Sequence, residues 1–135
     1  MRRLQKEPRD KPFFCHDENL EFAALIKECN QGAMFISAIK LMKRAGAKDP
    51  QIISECDNQD IHILTKNTRH FRNPPENIKI GIICIGKKLD KEFIKKLKSL
   101  FLKHRKHSFY YQKIFLIDDH VTMFDRVANT RTILQ

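Results

Sequence analysis

Two acidic residues stand where a folded chain can put them to use. Asp17 closes the short apolar run Phe13-Phe14-Cys15, one residue after His16, and Asp49 opens the stretch DPQIISECDNQDIHILTKNTRHF. Metal-assisted hydrolysis of a phosphodiester needs Mg2+ or Mn2+ held by a few carboxylates; the metal neutralises the phosphate and activates a water. Asp17 and Asp49 are the candidate ligands, with Glu18 as a third. Thr65 can hydrogen-bond a ligand or steady a metal-bound carboxylate. Asn67 can lend a carbonyl oxygen, and His70 can bind Mn2+, contact phosphate or act as a base. Lys66 and Arg69, in the same polar loop, add cations for a nucleic-acid backbone.

Each of these residues also has a plain structural role open to it. Asp49 before Pro50 suits a helix start, its carboxylate capping and the proline fitting the first turn. Asp17 can cap the helix that follows it, and His70 can pack beside Phe71. Asp118-Asp119 has the composition of a hairpin turn.

The elements that must position these groups read as alternating strands and helices. Residues 12–16 form a first strand, apolar as in a buried parallel sheet. A helix follows with Leu20, Ala23, Ala24 and Cys29 inward, then a second from about Ala33 to Arg44, stopped by Gly46. Ile52, Ile53 and Cys56 share a face of the Asp49 helix, which Asp57 to Gln59 break. Ile61 to Leu64 make a strand, and Ile78 to Ile85 another. Leu89, Phe93, Ile94, Leu97, Leu100 and Phe101 recur at helical spacing, with Lys91, Lys95, Lys98 and Lys103 on other faces. Lys113 to Ile117 is a strand, and Val121 to Phe124 pairs back on it as a hairpin. The tail after Asp125 carries no pattern. Ligands of an open parallel sheet bind just past the carboxyl ends of its strands, where Asn67 and His70 would sit.

At 135 residues the chain is one domain of ordinary size, with a basic arm at residues 1–11 and a single domain over 12–135. No apolar run approaches the roughly 18 residues of a membrane span, and no apolar segment of signal-peptide length follows the basic start, so a cytoplasmic location is expected. Cys15, Cys29, Cys56 and Cys84 lack CxxC spacing and sit in apolar surroundings, as buried reduced thiols do. The net charge of +10 favours polyanions, chiefly nucleic acid or acidic membrane. Arg105, Lys106 and His107 extend the Lys103 face into a basic patch, with Tyr110 and Tyr111 available to stack bases. No zinc finger, P-loop or Gly-rich dinucleotide turn is present, and four glycines leave few backbone cradles for phosphate.

Two stretches resemble the PIN-domain ribonucleases, the fold of VapC-like toxins and of a compact bacterial PIN-like family. Asp49, Ile52, Ile53, Thr65, Asn67 and Phe71 match one motif, and Asp17-Glu18-Asn19-Leu20 is similar to the opening of the compact family. The likeness covers roughly residues 12–125 in element order. The resemblance implies an α/β fold, a PIN-like three-layer sandwich: a mostly parallel central sheet, an antiparallel edge strand and helices on both faces. It also implies a Mg2+- or Mn2+-dependent endoribonuclease cutting single-stranded RNA, a homodimer, and a cognate antitoxin that covers the site. On this reading Asp17, Asp49, Thr65, Asn67 and His70 are catalytic, Asp17, Asp49 and Glu18 bind metal, and Lys66, Arg69, Lys103, Arg105 and Lys106 hold RNA. Two departures stand out. The family's last acid is His70 here, and its second acid has no counterpart beyond Glu18, Glu21 or Glu28. The alternative is a non-catalytic PIN-like module that binds nucleic acid or protein.

Overall fold

The computed structural model describes residues 11–17, 22–66, 71, 74–86 and 90–134. Seven strands form one sheet in the order β2-β1-β3-β4-β5-β6-β7: β1 Phe13–His16, β2 Met34–Ser37, β3 His62–Thr65, β4 Ile82–Ile85, β5 Lys113–Ile117, β6 Val121–Asp125 and β7 Thr130–Ile133. The first five run parallel, and β6 and β7 continue antiparallel. Side chains alternate across the pleat, which sorts the core into two clusters. Phe14, Leu64, Ile83, Ile85, Phe115 and Ile117 pack with helix α1 (Phe22–Cys29) and helix α4 (Lys91–Lys103). Cys15, Ile63, Ile82 and Cys84 pack with helix α2 (Ala38–Met42) and helix α3 (Asp49–Gln59). The mostly parallel mixed sheet with an antiparallel edge is therefore present, with helices against both faces.

Helix α3 begins at Asp49, as read, but its entry is built differently. The Gln51 side chain accepts from the Lys48 backbone N–H at 3.0 Å, so Lys48 is the cap and Asp49 the first helical residue. Asp57 does not break the helix. It stays within it, and its carboxylate accepts from the N–H groups of Lys79 and Ile80, which pins the segment leading into β4. The strand expected from Ile78 starts only at Ile82, although the Gly81 carbonyl already accepts from Ile63 N–H and the Lys79 carbonyl from Gln112 N–H. Helix α4 follows its pattern: Phe93, Ile94, Leu97, Leu100 and Phe101 are buried, and Asp90 caps it by accepting from Phe93 N–H.

Three expectations are corrected. The helix placed over Ala33–Arg44 is a strand followed by a short helix. Met-Phe-Ile-Ser pairs along β1, and Ser37 then caps α2 through Lys40 N–H. A four-residue apolar run fits either periodicity, and pairing decides it. In α1 the inward residues are Phe22, Leu25 and Cys29, while Ala23 and Ala24 are exposed. The tail after Asp125 is ordered: Asp125 accepts from Val127 and Ala128 N–H and turns the chain into β7. Every residue of β7 is exposed, so no burial pattern marks it in the sequence.

Candidate functional site

In this order the chain leaves β1 for β2 on one side and reaches β3 on the other, so the crevice between the carboxyl ends of β1 and β3 is the topological switch point. His16 lies opposite Leu64, which sets Asp17 beside Thr65. The Thr65 hydroxyl donates to Asp17 Oδ2 at 2.9 Å, and Lys66 N–H donates to the same oxygen at 3.0 Å. Thr65 is fully buried and Asp17 half-buried, so a rigid strand end aims a carboxylate at the surface. Such outer hydrogen bonds are what fix the orientation of a ligating carboxylate.

His16 joins this edge and was not singled out from the sequence. Its Nδ1–H donates to the Asp17 carbonyl at 2.6 Å, and its ring stacks on Phe22. The signal available was its place directly before Asp17 at a strand end.

The other candidates divide. Asp49 lines a groove of about 870 Å3 with Gly46, Ile53, Asp57, Pro75 and Ile78, and neither Asp17 nor Thr65 lines it. Glu18, Asn67, Arg69 and His70 lie outside the described residues. Among the described residues no group of three His, Cys, Asp or Glu side chains could hold a metal ion. The carboxylate that the described residues orient at this edge is that of Asp17. Lys103, Arg105 and Lys106 are exposed, but they follow α4 and precede β5 at the amino edge of the sheet, whereas Lys66 follows β3 at the carboxyl edge. Tyr110 is wholly buried in the core with its hydroxyl on the His104 carbonyl; burial pushes its hydroxyl pKa up, and it is not free to stack bases. Asp118 is a turn residue that accepts from His120 N–H.

A second polar cluster lies at the amino edge. His62 and His107, 0 % and 3 % exposed, stack with ring centroids 4.0 Å apart. Gly81 N–H donates to His62 Nδ1 at 2.8 Å, so His62 carries its proton on Nε2 and gives it to the His107 carbonyl at 2.8 Å. Phe13 N–H donates to His107 Nδ1 at 3.1 Å, which leaves His107 Nε2–H for Asp60 Oδ1 at 3.3 Å. The Tyr111 hydroxyl contacts both Asp60 oxygens, at 2.7 and 2.8 Å. Asp60 itself caps α3 with φ of 62°. A Cβ on Gly81 would meet the Tyr110 carbonyl oxygen at 2.0 Å, so only glycine fits where β4 enters this cluster.

The four cysteines are buried and not joined in disulfides. Burial pushes the Cys29 thiol up to about 12, and a hydrogen bond that the Cys56 thiol makes to Cys15, together with burial, raises that of Cys56. Cys29 and Cys56 are thus held neutral, the opposite of what a nucleophile or metal ligand needs.

No protein-family model, curated protein or solved structure matches the chain. Among the described residues no helix is long and apolar enough to cross a membrane.

Proposed function

We propose that the chain is a PIN-like endoribonuclease that cuts single-stranded RNA with Mg2+ or Mn2+, on a three-layer PIN-like fold. One observation carries this reading: a half-buried carboxylate, Asp17, held by Thr65 and Lys66 N–H at the switch point of a parallel sheet, in a chain of net charge +10. A bound divalent ion would supply charge neutralisation and an activated water. Asp17 would be its main protein ligand, with Glu18, Asn67, His70 and Asp49 the candidates to complete the set. Lys66 and Arg69 would hold the RNA backbone beside the site. The Lys103, Arg105 and Lys106 patch, at the other edge, would serve a separate stretch of RNA. By the same resemblance the protein is the toxin of a toxin–antitoxin pair, homodimeric and restrained by a cognate antitoxin.

The test is cleavage of a labelled single-stranded RNA with each metal and with chelator. Cleavage that needs Mn2+ or Mg2+ and falls at least about a hundredfold in Asp17→Asn supports the enzyme. Undiminished cleavage in Asp17→Asn overturns the assignment of the site. Salt-sensitive RNA binding with no cleavage points to the non-catalytic module.

A further inference from the structure

The last strand of the sheet offers an edge that nothing in the described chain covers. Among the described residues β7 pairs only with β6, and it is exposed along its length. Which of its backbone groups face outward follows from a single bond. Leu134 N–H donates to the Val121 carbonyl at 2.7 Å, which makes Val121/Leu134 a hydrogen-bonded pair. Such pairs recur every second residue of an antiparallel ladder. Met123/Thr132 and Asp125/Thr130 are therefore bonded inward as well. The N–H and C=O groups of Arg131 and Ile133 are left pointing away from the sheet.

The same two residues present their side chains to a groove. It has a volume of about 610 Å3, and Arg131 and Ile133 line it with Ile114, Leu116, Thr122 and Phe124. Ile114 and Leu116 share the face of Cys84, the face that α2 and α3 cover further along the sheet but leave open over β5 to β7. Arg126, at the rim, is engaged by the carbonyls of Pro75 and Ile78. Arg131 is the exposed cation directly on the edge strand.

We propose that β7 receives an extended segment of a partner protein as an eighth strand. Main-chain bonds to Arg131 and Ile133 would carry it, as in other strand-addition complexes. Side chains opposite Arg131 and Ile133 set its chemistry. Cross-strand neighbours on one face stand about 5 Å apart, so a carboxylate belongs opposite Arg131 and an aliphatic residue opposite Ile133, two positions away. The net charge of +10 draws such an acidic segment in. A second copy of this chain fits less well. β7 reads Thr-Arg-Thr-Ile and holds no acid to meet Arg131. The proposal does not depend on the nuclease reading, because β7 lies at the far side of the sheet from β1.

The test uses the full chain and two labelled, capped octapeptides, STVEVIVS and its Glu-to-Lys form STVKVIVS. Expected are binding of the acidic peptide by anisotropy and new amide-exchange protection at Arg131 and Ile133, but not at Thr130 or Thr132. Arg131→Glu should weaken the acidic peptide about fivefold and favour the lysine form. Ile133→Pro, which removes an outward donor and leaves the bonds to β6, should abolish binding of both. Equal binding of the two peptides, or no protection at β7, overturns the proposal. Protection of Arg131 and Ile133 without peptide, rising with protein concentration, would show that a second copy holds the edge and also overturns it. So would protection by single-stranded RNA alone.

Discussion

The two ends of strand β3 carry polar groups put to opposite uses. At the amino end His62 is wholly buried, and both ring nitrogens are committed to backbone groups. At the carboxyl end Thr65 is equally buried, but its hydroxyl reaches a carboxylate that is half open to water. The first arrangement splices strand starts: it joins β3 to the entry of β4 and, through His107, to the first residue of β1. A histidine whose Nδ1 lone pair is occupied by an N–H cannot take a second proton without losing that bond, so the denser cluster is the poorer acid–base device. The sparser one keeps a charged acceptor where a ligand can arrive. A histidine–aspartate–tyrosine constellation alone is thus a weak guide to function; what its nitrogens are bonded to decides.

If that contrast holds, damage at the amino end should cost stability and damage at the carboxyl end should cost activity. The largest effect is expected from Gly81→Ala. Its methyl group would overlap a backbone oxygen, which has little room to move, and a loss of about 3 kcal/mol or more should appear in urea unfolding. A variant within about 1 kcal/mol of the parent would show that this junction yields. Next, His62→Phe keeps the ring volume and strands Gly81 N–H and the His107 carbonyl. A cost of about 3 kcal/mol is expected, with RNA cleavage per folded molecule unchanged. If His62→Phe instead folded normally and lost activity, the division of labour would be reversed. Thr65→Val removes one hydrogen bond to Asp17 and should cost about 1 kcal/mol, while lowering cleavage far more than stability because the carboxylate loses its orientation. A loss of stability without a loss of cleavage would make Thr65 a packing residue.

The smallest effect is a pH limb. Burial, then Lys103 and Lys113, hold the His104 pKa below its usual value. The unfolded chain therefore binds the proton more readily, so this contribution to stability is present above about pH 6.5 and declines as pH falls below it. His104→Gln should flatten that part of the stability–pH curve; an unaltered curve would rule out His104 as its source.

The amphipathic helix α4, the start of α3 and strand β5 were legible because each rests on local periodicity or a local signal: the Phe93 to Phe101 stripe, Pro50 after Asp49, and the apolar run of four from Ile114 to Ile117. Asp17 was legible too, as the acid closing an apolar strand. What escaped was set by distant partners. Met34–Ser37 becomes a strand only because β1 lies alongside it. The His62–His107 stack joins residues 45 apart, and nothing local to either marks the other. Tyr110 has the composition of a nucleic-acid surface and the position of a core residue, a difference made by the closeness of Gly81 to its backbone. β7 depends on the turn that Asp125 makes, and its uniform exposure erases the alternation by which strands are found.

The bond from Phe13 N–H to His107 Nδ1 spans 94 residues and has a consequence for the order in which the molecule assembles. Closing so long a loop is slow compared with forming a hairpin. The β5–β6–β7 meander, whose neighbours are adjacent in sequence, can be in place while the first strand is still searching for its position between β2 and β3. Its ladder pairing to the parallel strands runs through β5, so the pairing of β7 on β6 is the part that can open alone. Slow-exchanging amides are therefore expected in β1, β3 and β4, and fast ones in β7, so the edge that assembles by the shortest route is also the one most readily released.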